Sequence, residues 1–262
     1  MDKRNLVFIL FSLLCIGLYC CDLPTQPGPM PQDIINTEFQ PGLNILGVIR
    51  VADKDSESFV YVEEALPTRN YYDSIDSLCI RNADVKIQEH EDSTMHTFTI
   101  DSETDSTKYT NSSFQPVPGQ SYQLFVTANT KQGELSTQSS TNVPGLPDIS
   151  LESLEITKNL VSIHIDSLKN IHRYDFMLYS NSTVIGEKVI YNQLTAEVKF
   201  SIDPKNEAPT KLVIVAYDKN LAKFLQASTG LFPQVYRETL STISGGYGCF
   251  GSVCIKNIQI SE

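Results

Sequence analysis

The chain has 262 residues, of which 20 are Lys or Arg and 31 are Asp or Glu, so its net charge at neutral pH is -11. An acidic surface repels phosphate backbones, and this balance argues against nucleic-acid binding. Hydrophobic residues make up 41% of the sequence, enough for packed cores, while tryptophan, which often serves as a stacking platform for sugars, is absent.

Residues 1–20 are organised like a signal peptide. Charged residues at 2 to 4 precede an almost unbroken apolar run from 6 to 18, which is shorter than the roughly 20 residues that a membrane-spanning helix needs. The run ends in Leu18-Tyr19-Cys20-Cys21. This ending resembles the bacterial lipobox, in which a Leu stands three residues before a Cys that carries a lipid. We therefore expect Cys21 to be lipidated and to tether the protein to a membrane; the alternative is an ordinary secretory signal with incidental cysteines.

A proline-rich tether, residues 21–42, begins at the expected lipidation residue. Prolines at 24, 27, 29 and 31 forbid a helix and favour extended polyproline II. At about 3.1 Å per residue, such a segment holds the following domain up to roughly 60 Å from the membrane.

Two sets of short segments rich in β-branched and aromatic residues follow the tether. The first set predicts strands at 44–51, 58–63, 83–89, 95–100, 121–129 and 135–141. The Pro-Gly-Leu-Pro stretch at 144–147 then predicts a domain boundary. The second set predicts strands at 150–156, 160–166, 173–180, 183–190, 195–202 and 210–218, and one short helix at 220–227 with Asn220 as its cap. The predicted fold is all-β: two tandem β-sandwich domains of immunoglobulin or fibronectin type, at 43–147 and 148–262.

The glycine-rich segment 245–251 is followed by Ser252-Val253-Cys254. Its spacing fits no phosphate-binding loop, so we expect its glycines to serve tight turns and close backbone packing. A two-residue hairpin turn at Gly251-Ser252 would place Cys249 and Cys254 opposite each other, close enough for a disulfide. We therefore predict a Cys249–Cys254 disulfide; free thiols, or a bridge to Cys79, are the alternatives.

Four motifs together resemble a known family of bacterial lipoproteins. They are the first strand Ile45-Leu-Gly-Val-Ile49, the strand Asn82-Ala-Asp-Val-Lys-Ile87, the segment Phe114 to Leu124 of the form F-x-P-x-P-G-x-x-Y-x-L, and the glycine-rich segment Gly245 to Gly251. The family is domain of unknown function 4249, whose members are commonly encoded beside TonB-dependent outer-membrane receptors. The resemblance implies an outer-membrane lipoprotein that assists a TonB-dependent transporter, and it supplies no catalytic residues.

No linear motif for catalysis, metal binding or a cofactor occurs in the sequence. His90 and His96 flank a predicted hairpin loop with acidic neighbours, which favours a solvated loop over a weak metal site. The loop at 67–73 contains Arg69, Tyr71 and Tyr72, residue types that are enriched in protein interfaces, and we expect it to contribute to a partner surface. The sequence thus predicts a non-enzymatic accessory or binding lipoprotein, with a structural or adhesive surface protein as the alternative and an envelope hydrolase as the third hypothesis.

Overall fold

A computed structural model describes residues 40–52, 57–66, 79–100, 107–145, 154–157, 160–166, 171–191, 195–203, 208–227 and 241–260. Contacts between Cα atoms divide the chain into two units, 1–40 and 41–262, and every element described below belongs to the second. The predicted signal peptide, the lipidation residue Cys21 and the predicted partner residues Arg69, Tyr71 and Tyr72 lie outside the described residues. Within these ranges, no helix is both long enough and apolar enough to cross a membrane.

Strands dominate the described residues, which confirms the all-β prediction. The elements are β1 (Leu43–Ala52), β2 (Phe59–Glu64), β3 (Asp84–Glu89), β4 (Met95–Ile100), β5 (Lys108–Thr110), β6 (Ser121–Thr130), β7 (Gly133–Asn142), β8 (Leu154–Thr157), β9 (Leu160–Asp166), β10 (Arg173–Ser180), β11 (Thr183–Tyr191), β12 (Thr195–Ser201), β13 (Lys211–Tyr217), α1 (Lys219–Ala227) and β14 (Gly246–Gln259).

Eleven of these strands form one large mixed sheet. Their order is β11-β10-β13-β14-β1-β2-β5-β4-β3-β6-β7, and a second sheet has the order β12-β9-β8. The pair β1 and β14 is parallel, whereas the strands that flank this pair, β2 and β13, run antiparallel to their neighbours in it. Strands from both sides of the expected boundary at residue 147 therefore share one sheet. The division into domains 43–147 and 148–262, and the sandwich form of each, stay predictions.

The main core follows from alternation along the strands. In β6, alternate side chains from Tyr122 to Ala128 are at most 2% exposed, as a period of two requires for a strand with one buried face. The strand predicted at 121–129 is confirmed. The same core continues into the three-stranded sheet, where Ile163 and Phe200 pack among the buried residues of the large sheet.

A second, smaller core lies on the opposite face of the large sheet. In β13, Leu212 and Ile214 face the main core while Val213 and Val215 face the smaller one. Leu221 of α1 covers this smaller core together with Phe224. Strand β13 is therefore buried on both faces, and its uninterrupted apolar run, Leu212 to Ala216, is the pattern expected of such a strand.

The predicted Cys249–Cys254 disulfide is wrong. Residues 246 to 259 form the single strand β14 without a hairpin turn at Gly251-Ser252, so Cys249 and Cys254 lie five positions apart on one extended strand, about 17 Å at the usual rise. An odd separation also places them on opposite faces, and Cys249 lies in the smaller core while Cys254 lies in the main core. Both are free thiols, as is Cys79.

Candidate functional site

A cleft of about 420 Å³ opens on the sheet face that carries α1. We call it the β2–α1 cleft. Its volume falls within the range of small-molecule sites, roughly 300 to 1,000 Å³. The described residues that line it come from β1, β2, α1, β14 and the segments before β5 and β14: Asn44, Ile45, Leu46, Tyr61, Glu63, Thr107, Phe224, Ser241, Tyr247 and Gly248.

The strand register explains why the polar and aromatic side chains of the cleft lie together. Asn44 of β1 pairs with Glu63 of β2 on one side and with Tyr247 of β14 on the other, so these three residues form one row across three strands. Tyr61 lies two positions from Glu63 on the same face and forms the next row with Leu46. Because neighbouring strands are about 4.8 Å apart, the three strands bring two tyrosines and one carboxylate to the same small area.

Glu63 is the acidic group of the cleft. The side-chain amide of Asn44 donates a hydrogen bond to Glu63 Oε2 over 3.1 Å, which orients the carboxylate without neutralising its charge. No Lys, Arg or His is among the described residues that line the cleft. The cleft thus combines a negative charge with the rings of Tyr61, Tyr247 and Phe224.

Helix α1 forms the side of the cleft that carries Phe224, and a buried aspartate holds the start of this helix. The backbone N–H of Leu221 donates to Asp218 Oδ1 over 2.9 Å, so Asp218 caps the helix in place of the predicted Asn220. The amide of Asn220 instead donates to the carbonyl groups of Ser140 and Phe250 over 2.8 and 2.9 Å. These bonds fix α1 to β7 and β14.

Asp218 belongs to a buried chain of oxygen atoms. Its Oδ2 lies 2.5 Å from Thr141 Oγ1, which lies 3.0 Å from Ser252 Oγ, which donates to the carbonyl oxygen of Asn142 over 3.1 Å. The hydroxyl of Thr141 donates to one oxygen of the Asp218 carboxyl, and the backbone N–H of Leu221 donates to the other. Burial raises the pKa of Asp218 above its ordinary value, although both of these hydrogen bonds lower it. These contacts join β7 to β14 and cap α1. All three side chains are buried, so none of them is accessible to a substrate as a nucleophile.

Glycines allow the close backbone packing at the floor of the cleft. Gly248 has φ +100°, and a Cβ there would overlap the carbonyl oxygen of Ile45. Gly251 lies directly beneath α1, where a Cβ would come within 2.7 Å of the Cβ of Leu221. The sequence prediction that these glycines serve close packing agrees with both positions, but the glycines lie within a strand rather than in a turn.

The remaining residues singled out in the sequence do not assemble into a chemical site. His96 Nε2 lies 2.9 Å from Glu89 Oε1 across the β3–β4 hairpin, and its ring packs edge-on against Phe114. Among the described residues, no group of three His, Cys, Asp or Glu side chains could hold a metal ion. Burial raises the pKa of both Cys249 and Cys254 to about 12, which keeps their thiols protonated.

No protein-family model matches this chain, and no curated protein matches it significantly in sequence. The structure defines the class as an all-β protein with a large mixed sheet. The resemblance to domain of unknown function 4249 stays a hypothesis.

Proposed function

We propose that this protein is a non-enzymatic lipoprotein of the bacterial cell envelope, anchored through Cys21 and acting as an accessory or binding protein for a TonB-dependent transporter in the outer membrane. The observation that carries the proposal is the order of residues 2 to 21: a charged start, an apolar run too short to span a bilayer, and a lipobox-like Leu18 to Cys21. A proline-rich tether then separates the lipid from a β-rich body.

The body supports a binding role in two ways. The β2–α1 cleft offers a concave surface with a few polar groups among apolar ones, the usual composition of a ligand site. The polar residues buried around Asp218 are engaged in capping and in joining strands, so their chemistry is accounted for without a reaction. We propose that Arg69, Tyr71 and Tyr72 contribute to the surface that meets the transporter.

The alternative function, a structural or adhesive surface protein, has one observation in its favour. Three large apolar side chains are exposed on the edge strand β11: Val184, Val189 and Tyr191. Exposed apolar residues on a sheet edge favour pairing with another chain. The next experiment separates the two functions, because it shows whether a TonB-dependent receptor co-purifies with the anchored protein.

Metabolic labelling with an alkyne fatty acid, followed by affinity purification from solubilised outer membrane, tests the proposal. We expect the wild-type protein to carry the label and to co-purify with a TonB-dependent receptor. Cys21→Ala should lose the label and the membrane fraction, while Cys79→Ala should retain both. Replacing Arg69, Tyr71 and Tyr72 with Ala should reduce receptor recovery without changing the label.

An unlabelled wild-type protein in the soluble fraction would contradict the lipid anchor. Purification of the labelled protein without any receptor would favour the adhesive alternative.

A further inference from the structure

We propose that the β2–α1 cleft binds a neutral sugar or a related polyol. Three side chains on adjacent strands carry the proposal: Asn44 of β1, and Tyr61 and Glu63 of β2, all of which line the cleft. They offer a planar amide, an aromatic ring with a hydroxyl, and a carboxylate. Such a set suits a sugar, because sugar hydroxyls donate and accept hydrogen bonds while the C–H face of the sugar ring packs against an aromatic ring.

These three side chains have hydrogen-bonding capacity left for a ligand. Glu63 Oε2 accepts one hydrogen bond, from the amide of Asn44 over 3.1 Å. Within the described ranges, no donor reaches Glu63 Oε1 or the side-chain carbonyl of Asn44, and the hydroxyl of Tyr61 makes no hydrogen bond. Tyr61 and Glu63 are half-buried, so water has access to them. A ligand that carries hydroxyls can replace that water without leaving these groups unpaired.

The spacing of the polar groups favours a ring with several hydroxyls. Asn44 and Glu63 form one row across the sheet, and Tyr61 lies in the next row, about 7 Å away along β2. A ligand with one polar group cannot serve both rows. The two oxygens of the first row need a donor from the ligand, whereas the hydroxyl of Tyr61 either donates or accepts. Because a hydroxyl meets both requirements, a polyol matches both rows.

The charge of the cleft disfavours acidic ligands. Glu63 contributes a carboxylate, and the described residues of the lining include no Lys, Arg or His. The chain as a whole carries a net charge of -11, which adds a long-range repulsion of anions. A sugar acid or a sugar phosphate would bring a second negative charge close to Glu63, whereas a neutral sugar brings none.

The size of the cleft and its other walls agree with a ligand of this class. A volume of about 420 Å³ lies within the range of small-molecule sites and suits a mono- or disaccharide. Phe224 and Tyr247 shape the sides of the cleft and have further interactions within the chain, so we assign no ligand group to their rings. Tryptophan is absent from the sequence, and Tyr61 supplies the aromatic surface on the β2 side.

Saturation-transfer NMR titration of the purified full-length protein tests the proposal. The probes are the methyl glycosides of glucose, galactose and mannose, the corresponding uronic acid glycosides, and cyclohexanol. The uronic acids keep the ring and add a carboxylate, and cyclohexanol keeps a ring with a single hydroxyl. We expect a neutral glycoside to bind at least about tenfold more tightly than its uronic acid and than cyclohexanol, because a like-charge contact and the loss of two hydrogen bonds each give a change of that order.

Three variants show whether the cleft is the site. Tyr61→Phe keeps the ring, removes the hydroxyl and should weaken glycoside binding about fivefold. Glu63→Gln should weaken it at least as much and should also reduce the discrimination against the uronic acid, because it removes the repelling charge. Glu64→Gln is the matched control, since it removes the same charge one residue away on the opposite face of β2, and it should bind the glycoside like the wild type.

The proposal would be overturned if no neutral glycoside bound to the wild type, if the uronic acid or cyclohexanol bound equally well, or if the two glutamate variants had equal effects. Binding of choline in place of the glycosides would also overturn it and would indicate a site for cations. Circular dichroism and the thermal midpoint of each variant establish that the variants are folded. The proposal concerns the body alone, so it and the lipid-anchor proposal can fail independently.

Discussion

Burial determines the chemistry of three groups that would otherwise be reactive. Asp218, Cys249 and Cys254 are each at most 3% exposed, and desolvation is the largest cause of the raised pKa at each of them. A buried thiol with a pKa near 12 has almost no thiolate at neutral pH and is a poor nucleophile. At Asp218, desolvation outweighs the hydrogen bonds that Thr141 and Leu221 donate to the carboxyl, each of which lowers its pKa.

Asp218 should make the free energy of unfolding depend on pH. Its pKa in the folded protein is raised, so between the unfolded value, near 3.9, and the folded value the native state holds the proton more tightly than the unfolded chain. The resulting stabilisation is complete below the unfolded pKa and is lost as pH rises through the folded pKa. Asp218→Asn keeps the cap and does not titrate. We therefore expect the stability of the wild type, relative to Asp218→Asn, to fall as pH rises from about 4 through the folded pKa.

Urea unfolding of both proteins across this pH range measures the difference. Asp218→Ala, which loses the cap and leaves the Leu221 N–H without its acceptor, should be less stable than Asp218→Asn by about 1 to 2 kcal/mol at every pH. A constant difference between the wild type and Asp218→Asn would show that the carboxyl has the same pKa in both states.

The structure of strand β14 could not be predicted from local sequence patterns. Local patterns predict three of the elements. Strand β6 shows the alternation of a strand with one buried face, β13 shows the continuous apolar run of a strand buried on both faces, and α1 shows the spacing of a helix with one apolar side. Glycines at 246, 248 and 251 indicated turns instead. They lie in a strand because its neighbours, Ile45 of β1 and Leu221 of α1, approach too closely for a side chain. Such close approach depends on partners distant in sequence.

Gly248→Ala should destabilise the protein far more than Gly133→Ala. Both glycines have positive φ, +100° and +109°, and an alanine at either position incurs about 1 kcal/mol of backbone strain. At Gly133 no atom lies within 4 Å of the added Cβ, whereas at Gly248 the Cβ overlaps the Ile45 carbonyl oxygen. We expect a loss of about 1 kcal/mol for Gly133→Ala and about 3 kcal/mol or more for Gly248→Ala.

Chemical denaturation of the two variants gives the comparison directly. Equal losses would mean that backbone strain alone determines the cost and that β14 can move away from β1 without penalty.

The topology of the large sheet joins the two halves of the chain. Strand β14 lies between β1, which begins at Leu43, and β13, which ends at Tyr217. The parallel pairing of β1 with β14 could not be predicted from the sequence, since either strand pattern is compatible with many partners. The β2–α1 cleft was missed for the same reason: its residues, from Asn44 to Gly248, meet only through this pairing. The sequence identified candidate strands, but the cleft depends on their order in the sheet.

Because the halves share a sheet and a core, we expect one cooperative unfolding transition. Phe98 of β4 and Phe176 of β10 lie in the main core, on either side of residue 147, and each is at most 1% exposed. Phe98→Leu and Phe176→Leu should each lower the stability of the whole by about 1 to 2 kcal/mol and should shift the same midpoint.

Urea unfolding followed by far-ultraviolet circular dichroism and by tyrosine fluorescence provides the measurement. Coincident curves for both probes, displaced together by either substitution, indicate a single unit. Two transitions, with each substitution moving only one of them, would support independent domains at 43–147 and 148–262.

The position of β14 in the sheet has a consequence for biosynthesis. A ribosome or translocase must deliver the chain through residue 259 before β1 has its parallel partner and β13 its second neighbour. Until then, one hydrogen-bonding edge of β1 and one of β13 have no partner strand, and such unpaired apolar strands are prone to aggregation. Dependence on a periplasmic or cytoplasmic chaperone should therefore be greatest at the end of synthesis, and a premature stop codon before residue 246 should yield a product that is degraded rather than a smaller stable protein.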